Sequence, residues 1–300
     1  MKLKKALYGT LKAALLFWKT LTAKLVSMGL VVNPYDECVA NKVIGGKQCT
    51  ILWHVDDIKV SHVDSQVVSE VLGELEKEYG KEAPLTVSRG KKHNYLGMVL
   101  DFSTRGAVQI TIYDYIKNML AELPAVMDGE SRTPAALHLF EVNEEAVKLS
   151  EKDAQFFHHY VAKLLFLCKR ARPDIQTAVA FLSTRVQNPD TDDYKKLTRT
   201  MRYLRGTSGL GLTLKADNIA KISWWVDASF AVHPNMRSHT GVVLTLGGGA
   251  VYGSSTKQKL NTRSSTEAEL VGVNDALPQV LWTRQFLNGQ GYGDTDSVIY

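Results

Sequence analysis

The 300-residue chain has few of the residues that build disulfide frameworks or zinc sites. It contains only three cysteines, Cys38, Cys49 and Cys168, and no two of them form a CxxC pair. This odd, scattered set argues against a disulfide-stapled fold and a zinc ribbon, and it fits a reducing compartment. No apolar run reaches the roughly 18 residues that a membrane span requires. Hydrophobic residues make up 45% and charged residues 22%, a composition typical of globular proteins.

The first 30 residues predict an amphipathic helix and not a signal peptide. Lys12 interrupts the apolar run, and no cleavage site of small residues follows closely. Gly29 is the expected C-cap. Apolar residues recur every three or four positions, at Leu7, Leu11, Leu15, Trp18, Leu21 and Leu25. We therefore expect an intracellular, cytoplasmic chain without a membrane segment.

Strand patterns follow this helix. CVANKVI (38–44) and CTILWHV (49–55), separated by a glycine-containing tetrapeptide, predict a β-hairpin. IKVSHV (58–63) comes directly after Asp56-Asp57, so three antiparallel strands are expected. Residues 64–79 predict a helix with Asp64 or Ser65 as its N-cap.

Residues 93–150 contain two further strand patterns and a connector. HNYLGMVLDF and AVQITI predict two strands that turn at 104–106, and a short helix is expected over 113–123. Residues 124–150 are rich in Pro, Asp, Glu and Ala with weak periodicity, and they read as a connector.

The second half of the chain changes from helical to mixed patterns. Residues 152–206 predict a helical block, in which Pro173 and Pro189 each start a new helix. Three strands, KISWWVDASF, HTGVVLTLG and GAVYGSS, precede a helix over 266–287. The last stretch, DSVIY, is expected to be one more strand, so the chain ends inside a strand pattern. We therefore expect an α+β fold and a chain truncated at both ends.

Positive charge is concentrated in the helical block. The chain carries a formal charge of +5, and residues 152–206 contain eleven Lys or Arg against five Asp or Glu. A clustered basic excess is typical of a surface that binds nucleic acid. A solvated helix face explains the same composition equally well.

Asp56 and Asp57 lie side by side between two apolar stretches. Adjacent carboxylates repel each other unless a cation neutralises them, and Mg²⁺ accepts carboxylate oxygens together with substrate phosphates. As a dipeptide alone, Asp-Asp is more often part of a solvated turn. The residues therefore leave two alternatives open, a solvated turn or half of a metal site.

The order of short motifs along the chain decides between these alternatives. LKKALYG (3–9), VDD (55–57) and YLGM (95–98) resemble the palm of a reverse transcriptase of Copia-type (Ty1-like) long-terminal-repeat retrotransposons. Two later motifs resemble the connecting segment of the same family, RPDIQTAVAFLSTRVQNP (172–189) and RYLRGT (202–207). Four more resemble its ribonuclease H domain: VDASFA (226–231), RSHTG (237–241), TKQK (256–259) and SSTEAEL (264–270).

This resemblance implies a fold of three segments. A polymerase palm, an antiparallel sheet with helices, is expected over 1–124 without its fingers. A linker and a basic helical thumb or connection follow over 125–218. The N-terminal half of a ribonuclease H-like α/β domain is expected over 219–300.

The resemblance also implies two acidic sites. Asp56 and Asp57 match the acidic pair of the Tyr-x-Asp-Asp motif as ligands of Mg²⁺ or Mn²⁺, and the third aspartate of that site has no match here. His54 stands where the family usually has Tyr. A metal-binding role for His54 is an alternative, because His54 and Asp56 are expected on one strand face.

Asp227 matches the first acid of the ribonuclease H site. Its partner is either Glu267 or Glu269, and both also fit a capping box, with Ser264 and Thr266 respectively. Glu269 shares a helix face with apolar residues that should pack on the sheet, whereas Glu267 lies on a more polar face. We therefore expect Asp227 and Glu269 to be the catalytic, metal-binding pair. Two later acids of this site have no match.

Further residues are expected to contact nucleic acid. Tyr95, Leu96 and Gly97 match the primer grip, in which Gly97 allows close backbone approach or forms a β-bulge. The candidate nucleic-acid contacts are Arg170, Arg172, Lys195, Arg199, Arg202, Ser229 and Arg237, and Lys196 and Arg205 belong to the same basic block.

The implied activity is DNA synthesis on an RNA template, coupled to hydrolysis of RNA in an RNA–DNA hybrid. The implied partners are RNA template, DNA primer, hybrid and deoxynucleoside triphosphates, with two-ion sites that are incomplete in this chain. The implied location is a cytoplasmic virus-like particle. Because both acidic sites are incomplete, we expect little or no activity from this chain alone. The alternative is a non-catalytic, nucleic-acid-binding remnant of a retroelement.

Overall fold

The computed structural model describes residues 9–81, 83–217, 219, 221–293 and 295–300. These residues form two compact units. The first unit contains the described residues between 9 and 89 and those from 282 to 293, and the second contains the remainder. All of the LKKALYG motif except Gly9 lies outside the described residues.

The first unit is a four-stranded antiparallel sheet with helices. Its elements are α1 (Leu11–Ser27), β1 (Val31–Asn33), β2 (Asp36–Ile44), β3 (Lys47–His54), β4 (Asp57–Ser61) and α2 (Ser65–Tyr79). The strands pair in the order β1-β2-β3-β4. The predicted count of three strands was wrong, because three-residue β1 is too short to give a periodic pattern.

Helix α1 ends as the sequence predicts, but only part of its apolar stripe is buried. Gly29 has φ of 82°, and Leu30 N–H returns to Leu25 O, a C-terminal cap that favours glycine. Leu21 and Leu25 are fully buried, whereas Leu11 is 93% exposed. Each fully buried leucine contributes about 2 kcal/mol through the hydrophobic effect. The C-terminal half of α1 therefore holds the helix on its unit.

Helix α2 begins at its predicted cap, since Asp64 accepts a hydrogen bond from Gln66 N–H at 2.8 Å. The apolar side chains of α2 join those of α1 and the sheet in one core. The buried members are Leu21, Leu25, Leu30, Ala40, Cys49, Ile51, Trp53, Val67, Val71 and Leu75.

The second unit begins with β5 (Lys92–Tyr95), β6 (Met98–Asp101), β7 (Ala107–Thr111) and α3 (Tyr113–Ala121). Its helical block follows as α4 (Glu151–Cys168), α5 (Gln176–Ser183) and α6 (Thr191–Gly206). The remaining elements are β8 (Leu212–Ala216), β9 (Lys221–Ser229), β10 (His239–Thr245), β11 (Gly247–Gly248), β12 (Tyr252–Lys257), α7 (Ser265–Gly289) and β13 (Asp296–Ile299). The last turns of α7, from Trp282, belong to the first unit.

The second unit contains two sheets, whose strands come before and after the helical block in the sequence. One has the order β11-β8-β7-β6-β5, and the other has the order β12-β10-β9-β13. In the second sheet β9, β10 and β12 are antiparallel, and β13 returns parallel to β9 after α7. The expectation of a mixed α+β fold is confirmed. Strand β8 was not predicted, because its pairing with β7 joins residues that are far apart in sequence.

The helical block forms the largest core of the second unit. Phe157, Leu164 and Leu167 of α4 pack with Val179 and Leu182 of α5 and with buried residues of α3 and α6. Helix α6 begins at Asp190, whose carboxylate accepts from the backbone N–H groups of Asp192 and Asp193 in a capping box. Pro173 lies shortly before α5 and Pro189 shortly before α6, as the sequence predicts.

Candidate metal centres and cationic surface

Asp56 and Asp57 lie at the tip of an exposed hairpin. His54 of β3 pairs with Asp57 of β4, so Val55 and Asp56 form a two-residue turn. Val55 has φ of 56° and is 52% exposed. A β-branched residue rarely adopts this left-handed conformation, which is the kind of local strain that clusters at functional sites. The turn therefore holds two adjacent carboxylates at one point on the surface.

The surroundings of this turn differ from the expectation at His54. His54, Asp56 and Asp57 are all exposed, so burial at a strand edge does not force the two carboxylates to bind a cation. His54 faces Asp57 across the hairpin, and Asp56 lies in the turn, so the expected common strand face of His54 and Asp56 was wrong. Cross-strand neighbours approach within about 5 Å at Cβ. His54 is thus placed beside the second aspartate of the pair.

The donor set at this hairpin suits a hard cation only in part. Two adjacent carboxylates are ligands that Mg²⁺ or Mn²⁺ accepts. Among the described residues, however, no group of three or more His, Cys, Asp or Glu side chains is arranged to hold a metal ion. Asp36 and Glu37, at the start of β2, therefore do not complete the site.

The Tyr95-Leu96-Gly97 segment is a tight hairpin. HNYLGMVLDF, predicted as one strand, is divided into β5 and β6 by a turn in which Tyr95 pairs with Met98. Both central residues have positive φ, 49° for Leu96 and 77° for Gly97, as a type I′ turn requires. A Cβ on Gly97 would lie 3.6 Å from the ring of Phe166. Gly97 is therefore a turn residue packed near α4 and not a β-bulge.

Replacing Gly97 with Ala should destabilise the second unit by about 1 kcal/mol, because the left-handed backbone penalises a Cβ while the space for it is adequate. Gly73 is the control. It lies in the exposed middle of α2 with open space around it, so Gly73→Ala should stabilise by about 0.5–1 kcal/mol. Urea unfolding of both variants checks the two signs. A neutral or stabilising Gly97→Ala would contradict the turn assignment.

Asp227 lies in β9, one of the two inner strands of the second sheet. It is exposed on β9 and pairs with Gly241 of β10. On the other side of β9, pairing with β13 ends where Val226 N–H donates to Tyr300 O at 3.1 Å. Asp227 is the next residue of β9 after this contact.

Glu269 lies in the first turns of α7, and its helix face packs as expected. Ala276 and Val280, on the same face as Glu269, are buried. One turn after Glu269, a Cβ on Gly272 would lie 3.5 Å from Val226 and 3.3 Å from Thr240. Side chains alternate along a strand, so Asp227 points to the face opposite Val226. The structure therefore places Glu269 on a helix that packs near Val226 and Thr240, and Asp227 on the other face of the strand from Val226.

Glu267 has a structural role at the start of α7. Its backbone N–H donates to Ser264 Oγ at 3.2 Å, and its Oε2 accepts from Arg263 N–H at 2.7 Å. The bond to Ser264 Oγ is one half of the capping box expected for Ser264 and Glu267, whereas the Glu267 carboxylate accepts from the N–H of Arg263 and not from that of Ser264. The alternative box of Thr266 and Glu269 does not form, because α7 already begins at Ser265.

Replacing Glu267 with Ala should therefore lower the free energy of unfolding by about 1 kcal/mol through the lost cap. Glu269→Ala should change it by less than about 0.5 kcal/mol, because Glu269 makes no capping contact. Thermal unfolding of the pair measures this difference. A larger loss in Glu269→Ala than in Glu267→Ala would reverse the two assignments.

The basic block supplies fewer free cations than the sequence suggests. Arg172, expected to contact phosphates, is fully buried; it is bonded to Asp174 at 2.7 Å and donates to Thr207 O at 2.9 Å. That expectation was wrong, and the residue instead joins the two motifs RPDI and RYLRGT. The ion pairs of the block and its surroundings are Lys148–Asp190, Lys163–Glu122, Arg185–Asp190, Arg185–Asp193, Lys196–Asp192 and Arg205–Asp128.

The remaining candidates fall into three groups. Arg170 stacks on the Phe166 ring, with its guanidinium 3.9 Å from the ring centroid. Arg199 and Arg202 donate to the connector, to Thr133 Oγ1 at 2.9 Å and to Val126 O at 3.1 Å. Lys195 is exposed on α6. Lys195, Arg199 and Arg202 therefore share one face of α6, and the connector covers part of that face.

Ser229 and Arg237 flank the loop between β9 and β10. Ser229 is the exposed last residue of β9 and pairs with His239, the first residue of β10. Arg237 is partly buried, and its carbonyl accepts from His233 N–H at 3.1 Å. The structure places both near the exposed end of β9 that carries Asp227.

Sequence reasoning missed a buried polar chain in the second unit. His233 Nε2 lies 3.0 Å from His239 Nδ1, and His239 Nε2 lies 2.7 Å from Ser255 Oγ. The exposed fractions of the two histidines are only 2% and 6%, and Phe140 packs against both rings. Burial lowers the pKa of each histidine to about 4, so both rings are neutral at pH 7. No local signal marked them, because their contacts come from four separate segments.

Relatives of this chain extend over its whole length. The retrovirus-related Pol polyprotein from transposon TNT 1-94 of Nicotiana tabacum is 27% identical across 100% of the chain. That from transposon RE1 of Arabidopsis thaliana is 29% identical, also across 100%. A putative transposon Ty5-1 protein of Saccharomyces cerevisiae is 26% identical across 91%. The chain is retrotransposon-derived.

These relatives are of the Copia/Ty1 type, as the motifs predicted. The retrotransposon-derived chain spans 23% of the TNT 1-94 polyprotein and 20% of the RE1 polyprotein, but 87% of the Ty5-1 protein. No protein-family model and no solved structure matches it. In the part that the structure describes, every helix is too short or too polar to cross a membrane.

Proposed function

We propose that this retrotransposon-derived chain is part of a reverse transcriptase with an associated ribonuclease H. The observation that carries the proposal is the exposed, strained hairpin that presents Asp56 and Asp57 together. Such a turn brings two carboxylates to the surface, where a cation and a nucleotide triphosphate can both reach them. The relatives that cover the whole chain are Pol polyproteins, which supports the same reading.

In this proposal Asp56 and Asp57 bind divalent metal beside the primer terminus. A bound pair of Mg²⁺ or Mn²⁺ ions supplies Lewis-acid stabilisation to phosphoryl transfer. The Tyr95–Gly97 hairpin contributes the primer grip, and the strain at Val55 fixes the direction of the carboxylates. RNA template, DNA primer and deoxynucleoside triphosphates are the proposed substrates, and a cytoplasmic virus-like particle is the proposed location.

Asp227 and Glu269 are the proposed acids of the ribonuclease H site, which acts on the RNA of an RNA–DNA hybrid. The parallel return of β13 beside β9, after a helix that carries Glu269, supports this assignment. Ser229 and Arg237 lie near the same strand end and are proposed to contact the hybrid. Glu267 is excluded from catalysis in this proposal, because its carboxylate accepts from the backbone N–H of Arg263.

The chain by itself is proposed to have little or no activity. Neither acidic pair gains a third carboxylate, histidine or cysteine from the described residues. Two carboxylates hold a divalent ion more weakly than three or four. Primer extension on an RNA template with Mg²⁺ tests this directly, and robust synthesis would show that two acids suffice.

Metal titration tests the assignment of the acids without requiring turnover. Electron paramagnetic resonance of Mn²⁺ with the full chain should detect binding that Asp56→Asn weakens about tenfold or more. Asp275→Asn, an exposed acid on α7, is the control for the loss of one negative charge. Equal binding by the two variants would remove Asp56 from the metal site.

A second candidate function is a non-catalytic, nucleic-acid-binding remnant. It is favoured by the same lack of a three-ligand cluster together with the cations of α6 that have no carboxylate partner. Salt-dependent binding of an RNA–DNA hybrid that is unchanged in Asp56→Asn, without specific Mn²⁺ binding, would support this candidate over the enzyme.

A further inference from the structure

A cavity between α6 and the connector concentrates positive charge in the second unit. Its volume is about 260 Å³. Helix α6 contributes Asp192, Lys195, Lys196, Arg199 and Arg202, and the connector contributes Ser131, Ala135, Ala136, His138 and Leu139. Four cationic side chains and a single carboxylate therefore line a space large enough for a phosphate group.

Among the described residues, five of the eleven Lys and Arg side chains of the helical block pair with carboxylates, whereas three of the four cations that line the cavity do not. Lys196 is an exception, because it pairs with Asp192 at 2.9 Å and donates to Glu141 O. Arg199 and Arg202 bind only neutral oxygens, from Thr133 and Val126. Lys195 forms no ion pair with any residue that the structure describes. Three positive charges at the cavity are thus left without a counter-charge.

The guanidinium groups also retain unused donors. The Nε atoms of Arg199 and Arg202 are buried, and neither has a hydrogen-bond acceptor among the described residues. A buried donor without an acceptor costs free energy, which an anion oxygen would recover. Guanidinium groups bind phosphate oxygens with strong, charge-assisted hydrogen bonds. The uncompensated positive charge and the volume of the cavity therefore favour an oxyanion.

We propose that this α6–connector cavity is a phosphate-binding site, with Lys195, Arg199 and Arg202 as the groups that bind the oxyanion. The phosphate belongs to a nucleotide or to the backbone of a nucleic acid, and this choice of source rests on the proposed function. Lys196 and Asp192 form a neutral pair that shapes the wall. Since the connector supplies half of the lining, binding also fastens the connector to α6.

Calorimetric titration of the full chain with inorganic pyrophosphate, in EDTA and at low salt, tests the site. Lys195→Gln should weaken binding about fivefold to tenfold. Lys259→Gln, an exposed lysine outside the cavity, should change it less than twofold. Equal effects of these two variants, or no binding of pyrophosphate by the unaltered chain, would overturn the proposal.

Arg199 requires a variant that preserves the contact with the connector. Arg199→Lys keeps the charge and removes the fork of donors, so it should weaken pyrophosphate binding about tenfold. Arg263→Lys, on the exposed residue before α7, is the control. Thermal unfolding without ligand monitors the fold, and an Arg199→Lys variant that folds normally and binds normally would contradict the role of the guanidinium.

Two competition experiments distinguish the source of the phosphate. A single-stranded 20-mer DNA that competes with pyrophosphate, and that loses affinity in Lys195→Gln, identifies backbone phosphate. Competition by a deoxynucleoside triphosphate, with no effect of the 20-mer, identifies a nucleotide. The same titrations in Asp56→Asn should be unchanged. The proposal of the phosphate site and the proposal of the metal site can thus be refuted independently of each other.

Discussion

Replacing Arg172 with Ala is expected to destabilise the second unit by about 3–5 kcal/mol. The guanidinium is completely buried, and it donates to both carboxylate oxygens of Asp174 and to the carbonyl and hydroxyl of Thr207. Burial favours a raised pKa for Asp174, but hydrogen bonds from Arg172 and Tyr203 outweigh it and hold the pKa below its usual value. Alanine would leave this half-buried carboxylate without its counter-charge.

Arg170→Ala is the matched control for this change. Arg170 lies two residues earlier, is partly exposed and stacks on Phe166, so its loss should cost about 1 kcal/mol or less. Chemical unfolding monitored by circular dichroism compares the two variants. Similar losses would mean that Arg172 contributes no more than a surface cation, contrary to its buried network.

Acidification is expected to destabilise the chain through His233 and His239 before most carboxylates titrate. The folded pKa of each is about 4, below the 6.5 of an unfolded histidine. Above pH 6.5 the rings are neutral in both states. As pH falls below 6.5, the unfolded chain gains protons that the folded chain does not, so stability is lost between pH 6.5 and 4. At pH 5 the loss is about 2 kcal/mol per histidine.

The double variant His233→Gln/His239→Gln separates this effect from general acid unfolding. Glutamine has no charge to gain, so the fall in unfolding free energy between pH 7 and 5 should shrink by most of the predicted amount. The positive charge of Lys257 also lowers the pKa of His233, after burial and the neighbouring His239. Urea unfolding at pH 7, 6 and 5 provides the measurement. A pH dependence unchanged in the double variant would assign the acid sensitivity to other groups.

The hairpins show how far local patterns predicted the fold. Gly45-Gly46 and the Asp-rich turn separate strongly β-forming stretches, and both strand pairs were predicted from these signals. Leu96-Gly97 was read through as one strand, because a single glycine between apolar residues does not reveal that two successive residues adopt positive φ. Strands β1 and β8 were missed, since short strands are defined by their partners.

The acidic residues also show which features can be predicted from local patterns and which cannot. The choice of Glu269 over Glu267 was made from helix periodicity and stays a prediction, while the structure shows the Glu267 carboxylate accepting from Arg263 N–H. Periodicity of α7 could not show which residues of the second sheet the helix packs against, because that contact joins segments that are distant in the sequence.

The sequence by itself determined the class of elements, most of their ends and the retrotransposon origin, because caps, turn residues, periodicity and motif order are all local or linear properties. Only the tertiary structure determined which polar and charged side chains are buried, which are paired and which lack a counter-charge. Arg172 lies in the core, His233 and His239 share a buried chain, and Lys195, Arg199 and Arg202 line a cavity without a counter-charge. The reason is physical: the energy of a charge depends on which distant residues surround it, and packing alone brings those residues together.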